Sequence, residues 1–369
     1  MRNVVITGGL GLLGKRISAS FARGCLETGL SVRFLVVDQA SDAGGLERST
    51  NHVVEHNHQL DSISPGQVSS SGPQRKPRMW VSYVRGDLAN AEVLTTIQSF
   101  VAAPPFSWTG NADDGHVDPE LSIFHLASVM SGQGEADFDR ALNVNVDACR
   151  SLIDVCRETS VRPRFLFASS IAAFGGGPNV SDDSKLLPET TYGMTKACAE
   201  LLVNDCTRKG FIDGRIARLP TVVVRPGPPN PAATGCFSSV PKAVLHGQDF
   251  VSPVSPDLQH PCIALSDAVE GIIRLHDAPE SDLGTRDRAV TLPAVSLTLR
   301  DLEESASKLA KRLGRSPGRV TYKPDAAVEA VVAAMPSAVT TSEKARRLGL
   351  RTDVTADTMV NEYANDTPL

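Results

Sequence analysis

The first half of the chain alternates short apolar runs with amphipathic stretches, a pattern that predicts strands and helices in turn. Residues 3–7 and 32–37 are aliphatic and β-branched runs, and residues 12–24 between them carry apolar side chains at helical spacing. Strands and helices that alternate in this way form βαβ units, in which helices cover both faces of a parallel sheet. The pattern therefore predicts an α/β fold with a doubly wound parallel sheet.

The same alternation continues to residue 224, and helical patterns return towards the end of the chain. Further strands are predicted at residues 80–84, 121–126, 164–168 and 215–224. Helices are predicted at residues 138–156, 192–207, 267–276, 300–313 and 325–335. The stretch after Pro226 is rich in proline and irregular, which predicts a change of architecture there.

Two segments interrupt this pattern and are predicted to be surface inserts. Residues 40–80 and 102–118 are rich in turn-forming residues such as glycine and proline and show no hydrophobic period. The first insert contains His52, His56 and His58, but no cysteine or carboxylate spacing around them completes a metal site. We therefore predict solvated loop histidines and no bound metal.

Length, net charge and cysteine content indicate the number of domains, the excluded partners and the cellular location. The chain has 369 residues, a length typical of about two domains. Its net charge of −5 is unlike that of a nucleic-acid-binding protein, which normally carries a basic surplus. No apolar run approaches the roughly 18 residues of a membrane span, and no secretory signal pattern is found. The seven cysteines include no C-x-x-C pair, which favours reduced thiols. We predict a cytoplasmic protein without nucleic-acid or membrane partners.

A glycine-rich turn joins the first predicted strand to the first predicted helix. Gly8, Gly11 and Gly14 have G-x-x-G-x-x-G spacing, and Leu12 and Leu13 lie where the helix begins. Glycine allows a tight turn and close approach of the backbone to a pyrophosphate, and the start of the helix offers unpaired N–H groups. These five residues are predicted to bind the phosphates of a dinucleotide.

Carboxylates at the ends of the next two strands indicate which dinucleotide is bound. Asp38 closes the second strand, where a carboxylate bonds both ribose hydroxyls and repels a 2′-phosphate. No arginine follows within the next several residues to reverse that preference, so NAD is predicted rather than NADP. Asp87 and Leu88 follow the next strand and are predicted to contact the adenine.

A tyrosine and a lysine four residues apart form the predicted catalytic pair. Tyr192 and Lys196 fall on one face of a predicted helix, and the nearby ammonium is expected to lower the pKa of the tyrosine. Tyrosine then takes a proton from a substrate alcohol as hydride leaves the carbon. Ser169 and Ser170 end the preceding strand, where a serine hydroxyl holds the reacting oxygen. Three such groups beside a dinucleotide loop predict an oxidoreductase.

Taken together, these motifs are similar to those of one enzyme family. The motifs are Gly8, Gly11 and Gly14, Asp38, the triplets at residues 86–88 and 125–127, Asn145-Val146, Ser169-Ser170, and Tyr192 with Lys196. On these residues the chain resembles the extended short-chain dehydrogenase/reductase family, often described as NAD-dependent epimerases and dehydratases. The resemblance implies a Rossmann domain that binds NAD and a smaller C-terminal substrate-binding domain.

The resemblance also implies domain limits and a subunit arrangement. The NAD-binding domain would span residues 1–225 and the substrate-binding domain residues 226–369, with residues 262–293 returning in part to the Rossmann sheet. The family further implies a homodimer, paired through the helices predicted at residues 138–156 and 192–207.

Individual site residues carry over from the family in the same way. Ser170, rather than Ser169, is implied as the catalytic partner of Tyr192 and Lys196, because the family's serine precedes five residues that end in glycine, here Gly175. The implied cofactor contacts beyond the glycine turn and the two carboxylates are Leu126, Ala127, Asn145, Tyr192, Lys196, Pro220 and Thr221.

Three segments, residues 129–139, 208–215 and 218–227, resemble more narrowly the D-erythronate dehydrogenase branch of that family. That branch oxidises the C2 hydroxyl of a four-carbon sugar acid to a 2-oxo acid with NAD. The resemblance implies that Arg225 grips the substrate carboxylate, while Ser131 and Gln133 bond its hydroxyls along with Ser170 and Tyr192. The first insert and residues 228–237 and 260–262 depart from the branch.

The leading hypothesis is an NAD-dependent dehydrogenase of a small sugar acid. The alternatives are a nucleotide-sugar epimerase that keeps its NAD bound, and a related secondary-metabolic short-chain reductase. A cofactor-sensing protein that has lost catalysis is a third class, against which the intact Ser170, Tyr192 and Lys196 argue. A sugar dehydratase is disfavoured, because residues 171–173 supply no acid to expel water.

Overall fold

The computed structural model describes residues 1–40, 78–102, 121–227 and 232–367 of the chain. Its strands are β1 (Arg2–Thr7), β2 (Val32–Asp38), β3 (Met79–Arg85), β4 (Leu121–His125), β5 (Arg164–Ser170), β6 (Asp213–Leu219), β7 (Thr221–Val223), β8 (Phe250–Ser252), β9 (His260–Ala264), β10 (Ala289–Thr291), β11 (Val295–Leu297) and β12 (Val320–Tyr322). Residues 41–77 and 103–118 of the two predicted inserts, with the three insert histidines, lie outside the described residues.

α-Helices of four residues or more connect or follow these strands within the same described ranges. They are α1 (Leu12–Glu27), α2 (Ala91–Ala102), α3 (Ser131–Ala136), α4 (Phe138–Leu142), α5 (Ala148–Glu158), α6 (Thr191–Arg208), α7 (Cys236–Leu245), α8 (Leu265–Asp277), α9 (Glu280–Leu283), α10 (Leu299–Arg312), α11 (Ala326–Ala333), α12 (Glu343–Arg347) and α13 (Ala356–Asp366). No helix in these ranges is long and apolar enough to span a membrane.

The central sheet has seven strands in the order β10-β6-β5-β4-β1-β2-β3, and every neighbouring pair is parallel. The predicted α/β class with a doubly wound sheet is confirmed. The strand order reverses between β1 and β4, which start the two halves of the sheet. In such folds ligands bind outside the carboxyl ends of the strands at this reversal.

Helices cover both faces of the sheet because its strands carry apolar side chains on both sides. On one face, Phe21 of α1 packs edge-on against Phe34 and Phe124 of the sheet, and α8 completes the layer. On the other face, α2, α5 and α6 bury apolar side chains that include Leu152 and Val203. Burial on both faces explains why the central strands are almost continuously hydrophobic.

The predicted strand at residues 215–224 is wrong in one respect, because the structure divides it in two. β6 belongs to the central sheet, whereas β7 pairs with β9 in a separate sheet of three strands. Pro220 lies between them, and proline lacks the N–H that a continuous ladder needs. The chain therefore leaves the main sheet at Pro220.

The C-terminal third contributes to two cores. Residues such as Phe237, Val244 and Leu302 form a separate cluster around α7 and α10. Ile272 of α8 instead joins the core of the central sheet, and β10 pairs with β6 at the edge of that sheet. The division into domains at residue 225 stays a prediction.

The helix predicted at residues 138–156 is continuous, with a wider turn inside it. α4 runs into a π-helical turn at Asn143–Asp147, and α5 follows directly. π-turns insert one residue per turn and occur often at functional sites. Here the turn carries the buried Asn145.

Candidate active site

The glycine turn after β1 has a backbone that side chains would obstruct. Gly8 has a φ of +69°, and a Cβ there would lie 2.8 Å from the backbone nitrogen of Ala127. A Cβ on Gly14 would lie 2.5 Å from the Cα of Gly9. Gly11 caps α1 without any side-chain hydrogen bond, so the start of the helix stays open to an anion. These features fit the pyrophosphate of NAD.

Asp38 at the end of β2 is fixed against the same turn. Its Oδ2 accepts a hydrogen bond from the Leu10 backbone nitrogen at 2.9 Å, and its Oδ1 accepts from that of Ala40 at 2.9 Å. Two bonds from the backbone set the orientation of the carboxylate beside the turn. This placement fits a carboxylate that bonds the ribose hydroxyls of NAD.

The predicted adenine residues border a cleft of about 720 Å³ at the ends of β2 and β3. Asp87 lines it and accepts a hydrogen bond from Gln39 at 2.6 Å, while Leu88 is buried beneath it. Arg85 and Asn143 also line this cleft, although neither was predicted. Asn143 lies in the π-turn that follows α4, far in sequence from β2 and β3, so no local pattern predicts its place at the cleft.

The predicted catalytic residues are brought together at the ends of β5 and α6. Tyr192 is in the first turn of α6, which Thr190 caps by accepting a hydrogen bond from Gly193 at 3.0 Å. Ser170 ends β5, and its hydroxyl is a hydrogen-bond partner of the Tyr192 side chain. The Lys196 ammonium is buried, donates to the Ala168 carbonyl at 2.8 Å and lies 5.6 Å from the centre of the Tyr192 ring.

The electrostatics of this group differ from the expectation. Burial raises the pKa of Tyr192 above its usual value, and the opposing influences are hydrogen bonds from Ser170 and Ser128 and the charge of Arg225. The cation that lowers the Tyr192 pKa here is thus Arg225, whereas the sequence pointed to Lys196. Burial also lowers the pKa of Lys196 to about 8, so the ammonium stays largely protonated at neutral pH.

Asn145, which is predicted to contact the cofactor, forms hydrogen bonds to other protein groups through both its amide nitrogen and its amide oxygen. Its Nδ2 donates to Thr195 Oγ1 at 2.9 Å and to the Val129 carbonyl at 3.2 Å. Its Oδ1 accepts from the Val129 backbone nitrogen at 2.8 Å and from Ser128 Oγ at 3.1 Å. The π-turn thereby ties the segment after β4 to α6, and the cofactor role of Asn145 stays a prediction.

Two cations lie close to one another beyond Tyr192. Arg225 follows β7, and burial lowers its pKa while the nearby Tyr192 raises it. Lys242 of α7 donates to the Gly227 carbonyl at 2.7 Å, and its pKa is lowered by burial and by Arg225. Lys242 was not predicted, because it comes from a helix that the proline at position 241 conceals in the sequence pattern.

The remaining predicted substrate residues lie on α3, next to Tyr192. Ser131 begins this helix, and Gln133 is exposed one turn before its end. Glu135 anchors α3 to α6 by accepting a hydrogen bond from the Thr191 backbone nitrogen at 2.6 Å. A Cβ on Gly134 would lie 3.6 Å from the Tyr192 backbone, so the two helices are in close contact.

The predicted nicotinamide neighbours follow the end of β6. Pro220 is buried, and Thr221 Oγ1 shares a hydrogen bond of 2.6 Å with His260 Nε2. Burial lowers the pKa of His260 to about 3, so this imidazole is neutral at physiological pH. Leu126 and Ala127 follow β4, where Ala127 touches the glycine turn. The contact of these residues with the nicotinamide stays a prediction.

The chain is similar to several known proteins. Residues 117–288 match the model of the NAD dependent epimerase/dehydratase family. A D-erythronate dehydrogenase of Cupriavidus necator is 35% identical over 100% of this chain and 99% of its own length. A D-erythronate dehydrogenase of Haemophilus influenzae is 34% identical over 66% of this chain and 76% of its own.

Solved structures give the same fold. A nucleoside-diphosphate-sugar epimerase from Agrobacterium tumefaciens is 25% identical, with a TM-score of 0.74 over 99% of this chain and 94% of its own. An L-threonine 3-dehydrogenase from Trypanosoma brucei is 21% identical, with a TM-score of 0.75 over 100% of this chain and 97% of its own. At that identity the second likeness concerns the fold alone.

Proposed function

The chain belongs to the NAD-dependent epimerase/dehydratase family, and from this premise we propose that it oxidises the C2 hydroxyl of a D-erythronate-like sugar acid to a 2-oxo acid. The observation that carries the proposal is the half-buried cation Arg225 acting on the same tyrosine that Ser170 bonds. A hydroxy acid carries its carboxylate one carbon from its reacting alcohol. The site therefore offers one partner for each group.

The catalytic residues take complementary roles in this reaction. Tyr192 in its ionised form takes the proton of the C2 hydroxyl, and Ser170 bonds the same oxygen and keeps it in line. Lys196, whose ammonium lies 5.6 Å from the centre of the Tyr192 ring, would bond the nicotinamide ribose of the cofactor. NAD, when bound, accepts the hydride that leaves C2.

The predicted cofactor residues would hold NAD along the carboxyl edge of the sheet. Gly8, Gly11, Leu12, Leu13 and Gly14 would surround the pyrophosphate. Asp38 would bond the adenosine ribose, and Asp87 with Leu88 would border the adenine. Leu126, Ala127 and Asn145 would lie along the middle of the cofactor, and Pro220 with Thr221 would face the nicotinamide.

Substrate selection would come from the cationic side of the site. Arg225 offers a fork that matches a carboxylate, and Lys242 adds a second positive charge to the same region. Two close cations raise each other's electrostatic energy, which an anionic substrate relieves. Ser131 and Gln133 would bond the hydroxyls beyond C2.

A panel of four- to six-carbon sugar acids tests the proposal, with NADH formation as the readout. We expect NADH from D-erythronate and much less from D-threonate, its epimer at C2, because Tyr192 and Ser170 approach C2 from a fixed side. Erythritol, which has no carboxylate, controls for the need for an anion. A panel that yields no NADH while NAD binds would reject the dehydrogenase and favour an epimerase with retained cofactor.

We further propose that the protein is a homodimer in the cytoplasm. Phe138 of α4 is 53% exposed and Leu201 of α6 is 66% exposed, and a second copy would cover these side chains. Sedimentation of the wild type and of Leu201→Glu tests the dimer, because a monomeric wild type would contradict it. All seven cysteines are free thiols, which suits a reducing compartment. Cell fractionation tests that location.

A further inference from the structure

A buried ion pair that takes no part in the proposed chemistry joins α6 to β6. The side chains of Glu200 and Arg218 are only 1% and 3% exposed, and Arg218 Nη2 donates to Glu200 Oε2 at 2.8 Å. Arg218 Nε also donates to the two oxygens of the same carboxylate, at 3.1 and 3.0 Å. Several bonds between one guanidinium and one carboxylate fix the orientation of the pair as well as its distance.

The ion pair contacts the segment that carries Ser170 on both sides of that residue. The hydroxyl of Ser169, the residue before Ser170, donates to Glu200 Oε1. The guanidinium of Arg218 lies 4.8 Å from the centre of the ring of Phe174, at the end of the short 3₁₀ helix that follows Ser170. The pair therefore holds this segment from its first residue to its last.

The same segment packs against the start of α6, beside Tyr192. The Ser170 hydroxyl accepts a hydrogen bond from the Ala172 backbone nitrogen at 3.2 Å. A Cβ on Gly193, the residue after Tyr192, would lie 2.2 Å from the carbonyl oxygen of Ala172. A shift of the 3₁₀ helix would thus move Ser170 relative to Tyr192.

Stability alone is a weak reason for a buried ion pair at this place. Two charges lose the free energy of hydration when they are buried, and apolar residues of similar volume often give equal or greater stability. Apolar side chains offer no acceptor for the Ser169 hydroxyl, whereas the Glu200 carboxylate binds it directly. The pair is therefore better explained by the orientation that it imposes on the end of β5.

We propose that Ser169, Glu200 and Arg218 are positioning residues of the active site. The hydrogen bond from Ser169 to the ion pair keeps Ser170 in the place beside Tyr192 from which it binds the substrate oxygen. The proposal rests on the proposed function, in which Ser170 and Tyr192 act on one hydroxyl. No proton or electron passes through the pair, which acts on the reaction only through Ser170.

Ser169→Ala tests the proposal and leaves the ion pair intact, because Glu200 Oε1 still accepts from Arg218. The kcat for the sugar acid should fall by about tenfold, while the KM values for sugar acid and NAD stay within about twofold, as expected when a reacting group is misplaced and binding is kept. Glu200→Gln keeps the shape of the side chain and loses its charge, and it should lower kcat at least as much. An unchanged kcat in either variant would overturn the proposal.

A double-mutant cycle separates positioning from a general structural effect. In a Ser170→Ala background, Ser169→Ala should cause no further loss of kcat, because no hydroxyl is left to position. A further tenfold loss in that background would overturn the proposal. Ser305→Ala is the matched control, since it removes a buried serine hydroxyl that also donates to a carboxylate, that of Asp357 between α10 and α13. A loss of kcat in Ser305→Ala equal to that in Ser169→Ala would also overturn it.

Hydrogen–deuterium exchange provides a measurement that needs no substrate. The amides of Ala172 and Gly175 are hydrogen-bonded within the segment, and in Ser169→Ala they should exchange about three- to tenfold faster, the loss expected for one hydrogen bond. Unchanged exchange would overturn the proposal. A wild type that is inactive on every sugar acid would reject the proposed function, whereas faster exchange in Ser169→Ala would still support the positioning of Ser170.

Discussion

The cofactor end and the substrate end of the site are built in different ways. At the proposed cofactor end, a turn of four residues joins β1 to α1, and Asp38 is bonded directly to that turn. At the proposed substrate end, Ser170, Tyr192, Arg225 and Lys242 come from separate elements. A local motif therefore dictates one end, while the tertiary fold assembles the other.

This difference implies that the proposed cofactor end tolerates fewer substitutions than the proposed substrate end. A side chain at Gly14 would collide with backbone, so the phosphate turn tolerates little variation. Replacing Arg225 or Lys242 alters only the charge offered to the substrate, since neither shapes the glycine turn. The two ends should accordingly respond to mutation independently, and the predictions below test that independence.

Tyr192→Phe should give the largest effect. The variant keeps the ring and loses the proton acceptor, so kcat should fall by about 10²- to 10⁴-fold. The affinity for NAD, measured by calorimetry, should stay within about twofold, because the glycine turn and Asp38 are unchanged. A variant that keeps wild-type turnover would remove Tyr192 from the role of base.

Arg225→Gln should raise the KM for the sugar acid by about 10- to 100-fold, the loss expected when a charged hydrogen bond to a carboxylate is removed. Steady-state kinetics at saturating NAD measure this change, and the KM for NAD should remain unaltered. Arg300→Gln is the control, because Arg300 pairs with Asp257 on the exposed surface. Equal effects of the two substitutions would contradict a substrate role for Arg225.

Lys196 should make the free energy of unfolding depend on pH. Its pKa in the folded protein is lowered from 10.5 to about 8, so between these values the unfolded chain binds more protons than the native protein. Its contribution to the free energy of unfolding should therefore rise by about 2 kcal/mol between pH 8 and pH 10.

Urea denaturation of the wild type and of Lys196→Met at both pH values isolates this contribution. The difference in unfolding free energy between the two proteins removes the titration of the other lysines, tyrosines and cysteines. A difference that does not change with pH would show that Lys196 titrates normally in the folded protein.

Gly14→Ala should give the smallest of these effects, and at the cofactor end alone. The added Cβ would meet the Cα of Gly9 at 2.5 Å, so the turn must shift, and the affinity for NAD should fall by about tenfold. Gly24→Ala is the control, since its Cβ would meet no atom within 4 Å. A larger change in the KM for the sugar acid than in NAD affinity would contradict the separation of the two ends.

The sequence predicted more of the proposed cofactor residues than of the proposed substrate residues, because the former lie in short local motifs. Glycine spacing and the residue that ends a strand are local signals, so Gly8, Gly14 and Asp38 were found from short motifs. Lys242 carries no such signal, because its relevance arises only when α7 brings it close to Arg225.

Two features of the fold were hidden from the sequence pattern for related reasons. Residues 215–224 look like one continuous strand, and only the loss of an N–H at Pro220 separates β6 from β7. The π-turn at Asn143–Asp147 keeps the helical spacing of its neighbours, and the bonds of Asn145 to Val129 and Thr195 hold it in place.

The number of NADH molecules released per enzyme from D-erythronate and NAD tests the central claim most directly. We predict continuous formation of NADH, well beyond one equivalent of enzyme, in the wild type and none above background in Tyr192→Phe. At most one equivalent from the wild type, with no further turnover at saturating NAD and substrate, would contradict a dehydrogenase.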